Sequence, residues 1–165
     1  MGTEILIVIF VGLVSAAALS DAVRFIIPNW LCGVIALVFP LAALMAGFSW
    51  PVFGFHLLAG FLGLVVGFAL FAPGWIGGGD AKMFAAVAIW MGWDAFYPFL
   101  LHTVLAGGGL VLMLILLRHA APLVRVPNGW TSETALEKGA PVPYGLAIAA
   151  GVFWTLPSTP IFSSF

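Results

Sequence analysis

Six long apolar runs separated by short polar breaks make up nearly the whole chain. A helix needs about 20 apolar residues to cross the hydrocarbon core of a bilayer. The runs predict helices over approximately 4–20, 30–48, 54–73, 82–97, 99–117 and 143–157. The first closes at Ser20-Asp21, and residues 21–29 form a polar break ended by the turn signal Pro28-Asn29. Ser49-Trp50-Pro51 divides the second run from the third, and Pro73-Gly74 closes the third. The fourth run is short. The fifth stops at Arg118-His119, and residues 119–141 form the one extended polar loop, with Arg125, Glu133, Glu137 and Lys138. No soluble domain, internal repeat or linker interrupts this pattern. The expectation is an all-α integral membrane protein, a bundle of about six transmembrane helices in one domain spanning 1–165.

Composition supports the membrane reading. Hydrophobic residues are 64% of the chain, charged residues 7%, and mean hydropathy is +1.22. Soluble domains average about 25% charged residues, so this chain lacks the polar surface that water requires. Fifteen Phe and seven Trp suit bundle interiors and membrane interfaces. No basic patch is present, which argues against nucleic acid as a partner. The first run resembles a secretory signal in length, but its early segment carries Glu4 and no cation, so it reads as a retained transmembrane helix. Cys32 is the single cysteine. It can form neither an internal disulfide nor a four-thiolate zinc site, and it reads as a small packing residue.

The few charges orient the bundle. With the N-terminus outside, the segments after helices one, three and five face the cytoplasm and hold Arg24, Lys82, Arg118, Arg125 and Lys138, which is every Lys and Arg. Glu4 and Asp94 fall on the outer side. This distribution follows the positive-inside rule. It also returns Asp21 and Asp80 to one face, because two crossings separate them.

Asp80 lies in Gly77-Gly78-Gly79-Asp80-Ala81-Lys82, a charged, glycine-rich interruption of an oily sequence. Charges beside membrane spans are costly and mark functional sites. Two carboxylates brought together share a proton, one serving as base toward water and the other as acid toward a scissile carbonyl. Glycines beside them give close backbone access. Other readings stay open on the residues alone. Either Asp can be a helix cap, and Lys82 can be a headgroup anchor or a tuner of Asp80. The same acids can form a proton or cation relay in a small transporter, or belong to a structural subunit. His56, His102 and His119 make no i,i+4 pair, so no metal site and no cofactor is expected. Gly60, Gly63 and Gly67, like Ala81, Ala85 and Ala88, have the spacing of close helix contacts. Gly107-Gly108-Gly109 is a weak point within helix five.

Three motifs carry a family resemblance. Gly77-Gly78-Gly79-Asp80-Ala81-Lys82 resembles the GxGD motif of the type IV prepilin peptidases. Asp21 followed by Ile27-Pro28-Asn29, and Pro143-Tyr144-Gly145-Leu146-Ala147-Ile148, are similar to that family's first-aspartate segment and its last-helix element. The resemblance implies a membrane aspartyl endopeptidase of the bacterial inner membrane. It would cut the short basic leader from prepilins or pseudopilins at the cytoplasmic face. Asp21 and Asp80 match the catalytic pair, and Gly77, Gly79, Lys82, Pro28, Asn29, Pro143, Tyr144 and Gly145 match supporting positions. The larger members have a paired-cysteine zinc insert and N-methylate the new terminus. One cysteine and a short chain resemble instead the minimal form of tight-adherence (Flp) pilus systems.

Overall fold

A computed structural model describes residues 2–120, 134–137 and 139–163. Arg125, Glu133 and Lys138, assigned above to the polar loop, lie outside the described residues. The chain is helical: α1 Gly2–Arg24, α2 Asn29–Met45, α3 Trp50–Phe71, α4 Gly78–Ala120 and α5 Tyr144–Thr155, followed by a 3-10 turn at Leu156–Ser158 and a last short α6, Pro160–Ser163. No strand occurs among the described residues. Three helices, α1, α3 and α4, are long and apolar enough to cross a membrane, and α2 and α5 are shorter apolar helices.

The boundaries differ from the sequence expectation at two places that matter. First, α1 does not end at Ser20-Asp21 but runs on to Arg24, so Asp21 is helical. Second, the break between the fourth and fifth helices is at Gly92, not near Pro98. Gly92 has φ 71 and ψ −178, which divides the 43-residue α4 into two limbs. That backbone region is open to glycine and strained for other residues. The break has a built-in wedge: a Cβ on Gly92 would meet the His56 ring at 2.5 Å. His56 Nδ1 donates to the Ile89 carbonyl at 2.7 Å, close to where the helical ladder is interrupted. Its ring stacks on Phe39, with centroids 4.9 Å apart. Gly107-Gly108-Gly109 does not bend the helix, and Gly107 instead packs against Tyr144 and Ala147.

The first limb of α4 is the centre of the bundle. It carries Met83, Val87, Ala88, Trp90 and Met91, all fully buried. Small residues let α3 approach it closely. A Cβ on Gly63 would lie 2.8 Å from Ala88 Cβ, and one on Gly67 would lie 3.0 Å from the Ala81 backbone. Trp90 stacks on Phe10 of α1 at 4.2 Å and donates its indole N–H to the Ile35 carbonyl of α2 at 2.8 Å. This bond satisfies the one polar atom the ring brings into the core. α5 packs along α4, and α1 closes against α2 and α5. The outside is as apolar as the inside, with Val8, Leu37, Phe61 and Leu116 all exposed. Such a surface suits lipid rather than water. Exposed tryptophans form two bands, Trp30 and Trp75 near the glycine stretch, and Trp50, Trp93 and Trp154 toward the other end, as in interfacial aromatic belts.

Candidate active site

Asp21 occupies the last turn of α1 and is buried. A carboxylate there opposes the helix dipole, so the position does nothing for the helix itself. It is not a cap either, since the residue preceding α2 is Pro28 and that helix has no side-chain cap. The chain leaves α1 through Phe25, whose φ of 54 is left-handed. A non-glycine residue pays about 1–2 kcal/mol for that conformation. The turn is held by Phe25 N–H on the Asp21 carbonyl at 2.8 Å and by the Ser20 hydroxyl on the Ile26 carbonyl at 2.7 Å. It delivers Ile27 onto the glycine stretch, where a Cβ on Gly79 would sit 3.1 Å from Ile27 Cβ.

Asp80 lies in the first turn of α4 and is also buried. Its Oδ2 accepts from Gly77 N–H at 3.0 Å. That is the reach-back half of a capping box, so the cap reading holds for one oxygen. The other oxygen, Oδ1, is buried and has no hydrogen-bond partner among the described residues. A buried, unsatisfied carboxylate oxygen is costly in a structure and calls for a use.

The start of α5 reaches the first of the two acids. Gly145 N–H donates to Asp21 Oδ2 at 2.8 Å, across 124 positions of sequence. The same amide, together with the Asp21 carboxylate, acts electrostatically on Asp80. Glycine suits this contact, because a Cβ on Gly145 would lie 3.0 Å from both Asp21 Cβ and Oδ2, closer than side chains normally approach. Pro143 precedes α5 and Tyr144 opens it. Arg118, on the second limb of α4, secures the approach, with Nε donating to the Ala135 carbonyl at 3.0 Å and a terminal nitrogen donating to Ala140 at 2.8 Å.

Lys82 is turned elsewhere. Residues two apart on a helix do not share a face, and its Nζ donates to Asn29 Oδ1 at 2.8 Å. All three motifs thus meet: Ile27 touches Gly79, Asn29 bonds Lys82, and Gly145 bonds Asp21. Beside Asp80 opens a cavity of about 530 Å³, lined by Gly67, Trp75, Ile76, Phe84, Leu100, Tyr144 and Ile148 among others. Its walls are apolar, and the acid is the charged group in them.

The remaining ionisable residues are scattered. Asp94 follows the Gly92 break and acts on His56, not on the Asp21/Asp80 pair. His102 Nδ1 pairs with Thr155 Oγ1 at 2.8 Å, and His119 Nδ1 donates to the Ile115 carbonyl at 2.7 Å. Among the described residues no three His, Cys, Asp or Glu side chains are grouped so as to hold a metal ion. The sequence reading missed the structural parts of Phe25, Ile27 and Arg118. Arg118 left a trace there as a cation ending an apolar run, and Ile27 as part of the Ile27-Pro28-Asn29 segment, while Phe25 left none.

A sequence model of the type IV leader peptidase family matches residues 8–112, more than half of the chain. The chain belongs to the type IV leader peptidase family. The match takes in both Asp21 and Asp80 and ends before Pro143-Tyr144-Gly145, so that this third element is tied to the leader-peptidase core by geometry alone. No curated protein and no solved structure matches the chain.

Proposed function

We propose that this leader peptidase is an aspartyl endopeptidase and that Asp21 and Asp80 are its catalytic pair. The observation that carries the reading is a pair of buried carboxylates, from α1 and α4, each with one oxygen held by a backbone N–H and the two within electrostatic reach of each other. In the proposed reaction one carboxylate takes a proton from water, whose oxygen attacks the scissile carbonyl carbon. The other, protonated, donates to the carbonyl oxygen. Collapse of the tetrahedral species breaks the C–N bond, and the leaving amine takes up the proton. A coupled pair acts as one unit, so neither acid is assigned one role permanently. Anchoring one oxygen of each acid by a backbone N–H leaves the unpartnered Asp80 Oδ1 for this chemistry.

The proposed substrate is a prepilin or prepilin-like protein, cut after its short basic leader. The apolar cavity beside Asp80 suits the hydrophobic stretch that follows such a leader. The proposed topology has six crossings, with α4 making two through its Gly92 break, and the N-terminus outside. Arg24, Lys82 and Arg118 then share the cytoplasmic end with the two acids. A basic leader is delivered at that face, in the inner membrane of a bacterium. The minimal, Flp-type assignment rests on the single cysteine, which cannot supply a paired-cysteine zinc site.

Co-expression with candidate prepilins, scored by leader loss in mass spectra, tests the proposal. Wild type removes the leader, and Asp21→Asn and Asp80→Asn leave it in place while still inserting in the membrane. Processing at the normal rate by either variant would sink the assignment.

A further inference from the structure

A second opening shares no lining residue with the cavity beside Asp80. It is a groove of about 390 Å³ between α2 and α3. These consecutive helices pack chiefly on α4 and leave a slot between them. Ala85 and Ile89 of α4 form its floor, and Gly33 of α2 and Phe61 of α3 line its sides. Lys82 and Asn29 line it as well. Asn29 is the first residue of α2, so the Lys82 ammonium lies at the level where that helix begins, the level of lipid headgroups. Its hydrogen-bond partner is a neutral amide oxygen, which brings no counter-charge and leaves the nitrogen spare donors.

An apolar slot ending in such a cation matches one kind of molecule in a bilayer. A helix with its side chains is about 10–12 Å across, too broad for a slot of this size, whereas an acyl chain is thin. The ammonium attracts a phosphate, and a headgroup without its own cation presents that phosphate uncompensated. We propose that the groove is a binding site for one anionic phospholipid, with an acyl chain along α4 and the phosphate on Lys82.

Gly33 makes the test clean. A Cβ there meets nothing within 4 Å and the residue lines the groove, so Gly33→Leu introduces a side chain into the slot from a position with room for its first carbon. The full chain, purified and delipidated in detergent, is offered phosphatidylglycerol or phosphatidylcholine with identical chains and examined by native mass spectrometry. Wild type should retain phosphatidylglycerol about fivefold better, the preference expected of one Lys near a headgroup. Lys82→Gln should retain both lipids equally, and Gly33→Leu neither. Inorganic phosphate should not compete, since it lacks the chain. Equal retention of the two lipids by wild type, unchanged retention by Gly33→Leu, or displacement by phosphate would overturn the proposal. So would a Gly33→Leu variant that loses binding of a synthetic prepilin peptide but keeps its lipid, since the groove would then hold substrate.

Discussion

Gly145→Ala is the smallest change that disturbs the pair of acids without removing either. The added Cβ would sit 3.0 Å from Asp21 Cβ and Oδ2 and 3.3 Å from Cγ. These contacts are tighter than side chains normally make, so the Asp21 carboxyl or the start of α5 must give by a few tenths of an ångström. The crowded Oδ2 is the atom that accepts from Gly145 N–H, so this bond is disturbed as the carboxyl gives. A misplacement of about 1 Å at a reacting centre costs on the order of 100-fold in rate, so a few tenths of an ångström should cost about three- to tenfold, or about 0.7–1.4 kcal/mol of barrier. Overpacking of this kind costs about 1–3 kcal/mol in stability, less than the usual reserve of about 5–15 kcal/mol. The variant should therefore fold and cleave about three- to tenfold more slowly. The assay is single-turnover cleavage of a purified prepilin in liposomes, followed by mass, with thermal unfolding and gel filtration as folding checks. Gly54→Ala is the control, because its Cβ meets nothing within 4 Å and it lies outside both cavities. Cleavage by Gly145→Ala at the control's rate would refute the dependence of the site on this contact.

Three further outcomes are expected. Gly92→Ala forces a left-handed alanine and drives its Cβ into the His56 ring. It should lower stability by about 2–4 kcal/mol, seen in detergent unfolding, and an unchanged midpoint would contradict the wedge described for that break. Arg118→Ala frees the carbonyls of Ala135 and Ala140. A charged hydrogen bond is worth about 1.5–3 kcal/mol, so kcat should fall about tenfold or more with KM little changed. A selective rise in KM would instead make Arg118 a substrate contact. Finally, a pair of acids that works with one proton between them fails when it holds two or none, so kcat should trace a bell against pH. A flat profile with chemistry rate-limiting speaks against the shared proton.

The apolar runs were legible because a membrane demands them, and the helical bundle followed. What the runs could not give were the turns. Phe25 adopts a left-handed conformation with no glycine or asparagine to announce it, so α1 was expected to stop at Asp21 when it continues to Arg24. Pro98 looked like a helix boundary but sits inside the second limb of α4, as Pro40 sits inside α2. Prolines are tolerated in transmembrane helices where neighbours resatisfy the backbone. The real break, Gly92, is one glycine among 20, and its meaning comes from the His56 ring folded against it from α3.

The site was legible as residue types and not as contacts. Asp21, Asp80 and the Pro143-Tyr144-Gly145 element stood out as polar or turn-forming groups in an oily chain. Nothing in their spacing said that the Gly145 amide would reach Asp21. That contact spans 124 positions and exists only once α5 has packed on α4 and α1. The Lys82 reading shifted as well. Sequence left it as anchor or tuner, and its bond to Asn29 directs it toward α2.

The central claim is that Asp21 and Asp80 act as one unit, and a double-mutant cycle tests it most directly. Leader cleavage is measured in the purified enzyme for Asp21→Asn, Asp80→Asn and the double variant, each checked for folding. Groups that act together are strongly non-additive. The account predicts that either single substitution abolishes cleavage as fully as the double. Two partial losses that multiply in the double variant would contradict it, because the acids would then be working independently.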